Sequence, residues 1–346
     1  MIVSIESLEA RLRAPFVSAS GVLTRRELLL LRLEDAAGRV GFGEAAPLES
    51  YDGASLADVR AALEDCRPAL ERASGDDHAG VLAECEALAM PPQALAAIDI
   101  ALWDLAGRRE GQPLWRLLGA ARPEPVEVNY TIAADDRAAA AEEAGAAARA
   151  GFRCVKVKIG LGDDAGRVAS VRAAAGTDVA LRLDANGAWS VPEAIAALRA
   201  LEPAGIELCE EPVRGLDEIA ELSRATSVPI AIDETAARPG AFERHACQAV
   251  CLKLARCGGI TGLLGAAAKA RKAGYEVYLA STLDGPVGIA AALHAAQAVS
   301  PERPCGLATL ALFADRPDPL PVRAGRIEVP AGAGLGEGLG AWYAAG

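Results

Sequence analysis

Val155-Lys156-Val157-Lys158 alternates apolar and charged residues, and four later segments repeat the device: Leu181-Arg182-Leu183-Asp184, Ile206-Glu207-Leu208-Cys209-Glu210, Ile230-Ala231-Ile232-Asp233 and Val250-Cys251-Leu252-Lys253. Successive strand side chains point to opposite faces. Val155, Val157 and Ile159 therefore share one face, and Lys156 and Lys158 the other. The same parity separates Leu181 and Leu183 from Arg182 and Asp184, Ile230 and Ile232 from Asp233, and Val250, Leu252 and Leu254 from Lys253. In the segment ending at Glu210 the parity is ambiguous, because Leu208 shares it. Each charged end falls at a similar point of a unit about 20 to 30 residues long.

Around these segments, residues 126–310 read as strand, helix, strand. Strand patterns fall at 126–130, 154–159, 179–184, 206–210, 229–233, 250–254, 276–281 and 304–307. Alanine-rich helical patterns fall at 138–150, 164–175, 192–200, 216–225, 241–246, 262–273 and 288–299. About eight such units predict an α/β fold, a (β/α)8 barrel over residues 121–313. A doubly wound open sheet would have fewer strands and a glycine-rich turn after the first. Asn129-Tyr130-Thr131-Ile132 offers none.

Residues 1–120 read differently. Strand-like stretches at 2–12, 27–33 and 40–44 lie close together, as in an antiparallel meander. Helical patterns follow at 56–70, 80–88 and 92–109, the last with Ala94, Leu95, Ile98, Leu102 and Leu105 at helical spacing. This predicts an α+β capping domain. Residues 314–346, with a strand-like piece at 326–329 and glycines through 331–340, are expected to return to that domain and complete it.

Composition narrows the function. A net charge of −12, a pI near 4.9 and the lack of any basic run exclude nucleic-acid partners and anionic membrane surfaces. Aromatics at 4% argue against a base-stacking surface. No apolar run reaches spanning length, and residues 1–6 lack a signal-peptide pattern. Eight scattered cysteines without a Cys-x-x-Cys pair read as packing residues in a reducing cytoplasm. The expected partner is a small carboxylate held by a local positive group or a cation; a homo-oligomer is left open.

The charged strand ends carry the chemistry. A single Lys–Asp pair inside a barrel could be structural, but buried pairs add little stability. Two lysines, Arg182 and three carboxylates at successive strand ends read instead as an active site. Three carboxylates make a hard oxygen site suited to Mg2+. Zinc would call for histidine or cysteine, and the only histidines are His78, His245 and His294. Proton transfer then falls to lysine, whose pKa a nearby cation or second ammonium would lower. Lys158 and Lys253 lie on opposite sides of the barrel, so they address opposite faces of a substrate. Loss of the proton α to a carboxylate would give an ene-diolate, the charge of which a metal stabilises.

With Lys156-Val157-Lys158, Asp184-Ala185-Asn186-Gly187, Glu210-Glu211-Pro212, Asp233-Glu234 and Lys253 followed by Gly258-Gly259, the chain resembles the enolase superfamily, muconate-lactonizing subgroup, over nearly its whole length. The resemblance implies that Asp184, Glu210 and Asp233 bind Mg2+ and that Lys158 and Lys253 are the acid/base pair. Lys156, Asn186, Glu211 and Glu234 would support them. It also implies substrate contacts at Ser20, Thr24, Ser281, Thr282, Asp284, Gly306 and Leu307, with loops near 18–24 and 47–53 closing over the site.

Within the subgroup, Arg13-Ala14-Pro15-Phe16, Ser20 to Arg25, Gly43 to Leu48 and Cys305-Gly306-Leu307-Ala308-Thr309 most resemble o-succinylbenzoate synthases of menaquinone biosynthesis. That resemblance implies a dehydration in which Lys158 moves the proton and Lys253 is a cation beside the ring. Asn129-Tyr130-Thr131-Ile132 resembles dipeptide epimerases, which usually carry Asp-x-Asp where this chain has Gly306-Leu307-Ala308. N-acylamino-acid racemase and muconate cycloisomerase are further alternatives. A Schiff-base lysine aldolase and a non-catalytic barrel are the rivals from other classes.

Overall fold

The structure, a computed structural model, describes residues 1–18, 21–314 and 316–344. Seven parallel strands run side by side in chain order: Tyr130–Ile132, Cys154–Lys158, Ala180–Asp184, Ile206–Glu210, Ile230–Ile232, Ala249–Lys253 and Glu276–Ala280. An eighth, two residues long, closes the cylinder: Cys305 bridges to Val128 and Gly306 to Ala280. The fold is thus a (β/α)8-type barrel with an N-terminal capping domain. No helix among the described residues is long and apolar enough to cross a membrane.

Parity governs the barrel wall. Val155, Val157, Leu181, Leu183, Ile230, Ile232, Val250 and Leu252 join the core shared with the outer helices. Leu208, Ala231, Ala249, Cys251, Tyr278 and Ala280 fill the inside. A bulge resolves the ambiguous fourth strand. Leu181 pairs with Ile206 but Arg182 pairs with Leu208, so Glu207 is the extra residue and Leu208 and Glu210 both point inward. Glu207 accepts Arg303 at 2.5 Å and faces Arg182 at 3.5 Å. Arg182 does point inward, but to the barrel floor, beneath the Tyr278 ring; it takes no part in the cluster of strand ends.

Two elements differ from the sequence pattern. Val126–Glu127 pairs antiparallel with Arg326–Ile327 of the tail; the chain joins the barrel at Val128, which bridges to Cys305, and its ladder with the second strand begins at Tyr130. Residues 241–246 form no helix. The Tyr275 hydroxyl accepts from the Ala246 amide at 3.0 Å and donates to the Arg244 carbonyl at 2.9 Å, satisfying backbone groups that a helix would otherwise pair. A 3-10 turn, Glu234–Ala237, follows the fifth strand instead.

The cap is a meander of Ile2–Ser18, Gly21–Glu34 and Val40–Ala45 against the helices Leu56–Arg72, His78–Glu86 and Pro92–Glu110. Leu29, Leu31 and Leu33 meet Val59, Leu63, Ile98 and Leu102 in its core. The helix Pro92–Glu110 lies directly on the third strand because Gly43 has no side chain; a Cβ there would come 1.8 Å from the Ala97 carbonyl oxygen.

Three polar joints seat the cap on the barrel. Buried Asp99 accepts from the Thr261 amide at 2.9 Å, its hydroxyl at 2.6 Å and His78 at 2.8 Å. It thereby caps the helix Ile260–Lys272. Buried Arg26 donates to the carbonyls of Pro47 at 2.7 Å and Ala46 at 3.1 Å and reaches that of Leu283. Glu44 accepts from the Gly285 amide at 2.8 Å and from the tail's Tyr343 hydroxyl. The tail starts against the cap, where the Ala314 amide donates to the Arg11 carbonyl at 2.9 Å, pairs with Val126–Glu127 at 326–327 and returns to the cap, where Leu335 donates to Asp104 at 2.8 Å.

Burial, with Asp284 close by, pushes the Glu44 carboxyl up to about 8. The folded state therefore holds a proton that the unfolded chain releases near its ordinary value of 4.5. Stability is full below that ordinary value and falls as pH rises through about 8. Thermal melts should show a declining Tm from pH 6 to pH 9, and Glu44→Gln should make that decline measurably shallower; an unchanged slope in the variant refutes the assignment.

Candidate active site

Strands two to six end on one rim of the barrel, and the parity described above turns their terminal charged residues toward the axis. Neighbouring strands lie only about 4.8 Å apart, so residues distant in sequence meet there. Lys156 Nζ bridges Asp184 Oδ2 at 2.8 Å and Glu210 Oε1 at 2.7 Å. Lys158 Nζ takes the same Asp184 oxygen at 2.6 Å and Asn186 Oδ1 at 2.8 Å. Lys253 Nζ is bonded to Asp233 Oδ2 and to the Tyr51 hydroxyl, the latter at 2.5 Å. Tyr278 donates to Glu210 Oε2 at 2.7 Å. Ligand atoms of Glu210, Asp233 and Cys251 lie within 4.8 Å of one another.

The three lysines line a single cavity of about 200 Å3 between barrel and cap. The chain has only five lysines, against thirty arginines. Arginine serves as the general cation, and the amine that can give up its proton is concentrated where proton transfer is expected. Asp184, Glu210 and Asp233 lie beneath the lysines, almost wholly buried. Glu211 turns away from them and accepts from the amides of Asp233 at 2.7 Å and Thr235 at 3.1 Å. Glu234 accepts from Asn186 at 3.0 Å. Asn186, Glu211 and Leu283 all have positive φ, at 47°, 38° and 61°, a backbone state that clusters at functional sites.

The expected substrate contacts divide. Ser281, Thr282 and Gly306 line the cavity. Leu307 does not: strand alternation buries it in the outer core. Nor does Asp284, which is buried against the Thr282 amide at 3.0 Å and hydroxyl at 2.6 Å. Thr24 is exposed on the outer face of its strand, while Leu23 takes the inner one. Ser20 lies outside the described residues. Sequence reasoning missed Phe16, Tyr51, Thr131, Leu283 and Thr309, which line the cavity. The cue for Tyr51 was its place in the 47–53 loop expected to close over the site; Phe16 lies just before the 18–24 one, at the end of the strand Ile2–Ser18.

Electrostatics at the site differ from expectation in one respect. Burial alone would lower the Lys156 and Lys253 ammoniums, but Asp184 and Glu210 around the first and Asp233 beside the second hold both above the ordinary lysine value. Asp184 is held well below the carboxylate range, Lys156 and Lys158 outweighing the upward push of burial. Burial pushes Glu211 up to about 8 and, with Asp233, Glu234 up to about 7. Burial and the Asp233 charge raise the Tyr51 phenol, so it is a neutral donor. Asp184, Glu210 and Asp233 offer oxygen donors alone, which fits a hard divalent cation; the Cys251 thiol is a softer atom beside Glu210 and Asp233.

Three carboxylates on successive barrel strands, flanked by lysines on the strands either side and covered by a separate cap, define a class of acid/base enzyme. Comparison with known proteins narrows it. Residues 138–340 match the family described as "Enolase C-terminal domain-like", and residues 2–119 match the N-terminal domain of mandelate racemase / muconate lactonizing enzyme. The chain belongs to the enolase superfamily. It is 31% identical to the D-Ala-D/L-Ala epimerase of Cytophaga hutchinsonii, across 99% of this chain and 97% of that protein. It is also 31% identical to muconate cycloisomerase 1 of Rhodococcus opacus, across 97% and 95%. The Cytophaga hutchinsonii dipeptide epimerase, solved with Mg and D-Ala-L-Val, superposes with a TM-score of 0.90 at 31% identity, covering 98% of this chain and 96% of that one.

Lys156 is the shared counter-ion of two buried carboxylates, so its loss has a defined consequence. Lys156→Met should destabilise the protein in EDTA by roughly 3–5 kcal/mol. Added Mg2+ should raise the variant's Tm more than that of the parent; equal shifts in both would show that the ammonium and a cation do not share these carboxylates.

Proposed function

We propose that the protein is a Mg2+-dependent racemase or epimerase of N-acylated amino acids, a class that includes dipeptides. The observation that carries this reading is the placement of Lys158 and Lys253 on the second and sixth strands of an eight-stranded cylinder, opposite each other and lining one cavity. One amine removes the α-proton from one face, and the other returns a proton to the opposite face, inverting the centre. Asp184, Glu210 and Asp233 would hold Mg2+. Bound there, it supplies a partner for the substrate carboxylate and for the charge that proton removal adds, and it offsets the carboxylates that favour the Lys253 ammonium. Glu211 and Glu234 act as supports, fixing the ends of the third and fifth strands through Asn186 and the Asp233 amide. The first relatives found are epimerases, and relatives are crystallised with Mg and dipeptides.

The cavity bears on the rest of the substrate. Among its described lining residues the three lysines are the only charged side chains; Phe16, Val22, Leu23, Leu48 and Leu283 supply apolar surface. A free ammonium has no carboxylate to meet there, and a second substrate carboxylate has no cation beyond the lysines. An uncharged, apolar acyl group and side chain fit best.

Dehydration of the o-succinylbenzoate synthase kind is the second reading. The stretch from Cys305 to Thr309 favours it, as does an apolar cavity able to take a ring. The succinyl carboxylate counts against it, and so do the relatives found, which are epimerases, racemases and cycloisomerases.

An assay in D2O with Mg2+ should compare hydrophobic N-acylamino acids, dipeptides and the succinyl-bearing cyclohexadiene carboxylate that o-succinylbenzoate synthases dehydrate. The expected result is racemisation with α-deuterium uptake, strongest for uncharged acyl groups, abolished by EDTA and restored by Mg2+. Lys158→Ala should lower turnover by about 10²–10⁴-fold with circular dichroism unchanged. Dehydration as the sole activity, or a borohydride-trapped lysine adduct, would rule this reading out.

A further inference from the structure

The two opposed lysines are held alike in number of bonds but not in origin. Each ammonium has three N–H donors. Lys158 spends one on Asp184 and one on Asn186 Oδ1 at 2.8 Å, both oxygens belonging to the third-strand end of the barrel. Lys253 spends one on Asp233, also of the barrel, but its second goes to the Tyr51 hydroxyl at 2.5 Å. Tyr51 belongs to the cap. Its ring centroid lies 4.3 Å from Lys253 Nζ, and Arg256 stands on the same ring at 5.0 Å. The phenol is fully engaged, donating to Asp233 Oδ1 at 2.8 Å and accepting from Lys253 and from Arg256 at 3.1 Å. Cap residues also fix the turn that carries it: Asp52 accepts from the amides of Leu48 and Ala54 and from Gln93 of the helix Pro92–Glu110 at 2.7 Å. The cap's contact with Lys158 is the Phe16 ring, 5.8 Å away and without a directed bond.

We infer that Tyr51 is a positioning residue that makes the aim of Lys253 depend on the docked cap, whereas Lys158 is aimed by the barrel alone. With the cap seated, two of the three Lys253 donors are held, one by Asp233 and one by Tyr51, which leaves the third directed at the substrate; without the cap only the Asp233 bond remains. The two half-reactions then differ in their dependence on the cap: proton exchange on the Lys253 face requires it, and exchange on the Lys158 face does not. This inference rests on the two-base reading of the site.

The test is α-hydrogen exchange in D2O, measured as an initial rate for each enantiomer of a hydrophobic N-acylamino acid with the Mg2+-loaded full chain. Lys253→Ala and Lys158→Ala identify which enantiomer each lysine serves. Tyr51→Phe keeps the ring and removes the hydroxyl. It should slow exchange of the Lys253-dependent enantiomer about tenfold or more and the other by no more than about twofold. Asn186→Ala should give the mirror image. Equal losses for both enantiomers in Tyr51→Phe overturn the inference. A parent protein that exchanges neither enantiomer instead refutes the two-base reading. The tether is then decided by NMR of 15Nζ-labelled lysine, which is tractable with five lysines. Tyr51→Phe should shift and broaden the Lys253 signal while leaving that of Lys158 unchanged, and an unperturbed Lys253 signal overturns the inference.

Discussion

The interior of this barrel depends on charge balance in a place with little water. Asp184, Glu210 and Asp233 are almost completely buried, and each is matched by an amine within hydrogen-bond reach. An unpaired carboxylate there would be neutralised or would destabilise the fold. The Lys156 ammonium, shared between Asp184 and Glu210, is the centre of that balance. The same balance creates reactivity. Glu210 and Asp233 bring ligand atoms within 4.8 Å of one another, and the amines beside them, held by so few bonds, each keep a donor.

The barrel supplies the charges and the cap supplies the enclosure. Phe16, Val22 and Leu23 from the first hairpin and Leu48 and Tyr51 from the turn after the third strand cover the lysines. Asp99 attaches the cap to the helix Ile260–Lys272, while Arg26 and Glu44 attach it to the turn at 283–285, where the tail adds Tyr343. The cover of the cavity and the Tyr51 bond to Lys253 thus come from a region far from the strand ends in sequence.

Much of the site was legible because β-strand periodicity is strict. Lys158, Asp184, Asp233 and Lys253 each follow an apolar alternation that allows one orientation. Glu210 could not be read in this way, since the bulge at Glu207 resets parity and depends on the pairing of the third and fourth strands. Residues 241–246 looked helical, but the Tyr275 hydroxyl satisfies their backbone from a distant part of the chain. Asp284 looked like a substrate contact from its position after the seventh strand; local bonds to Thr282 turn it into the wall.

The sequence by itself determined the alternation of strands and helices, the inward charges of the barrel and the shortage of lysine elsewhere, because these follow from local periodicity and composition. Only the tertiary structure decided that Lys156 is shared by two acids, that Arg182 belongs to the floor, and that a tyrosine of the cap reaches Lys253. Those outcomes are contacts between residues up to about two hundred positions apart in the chain, and no local pattern encodes them.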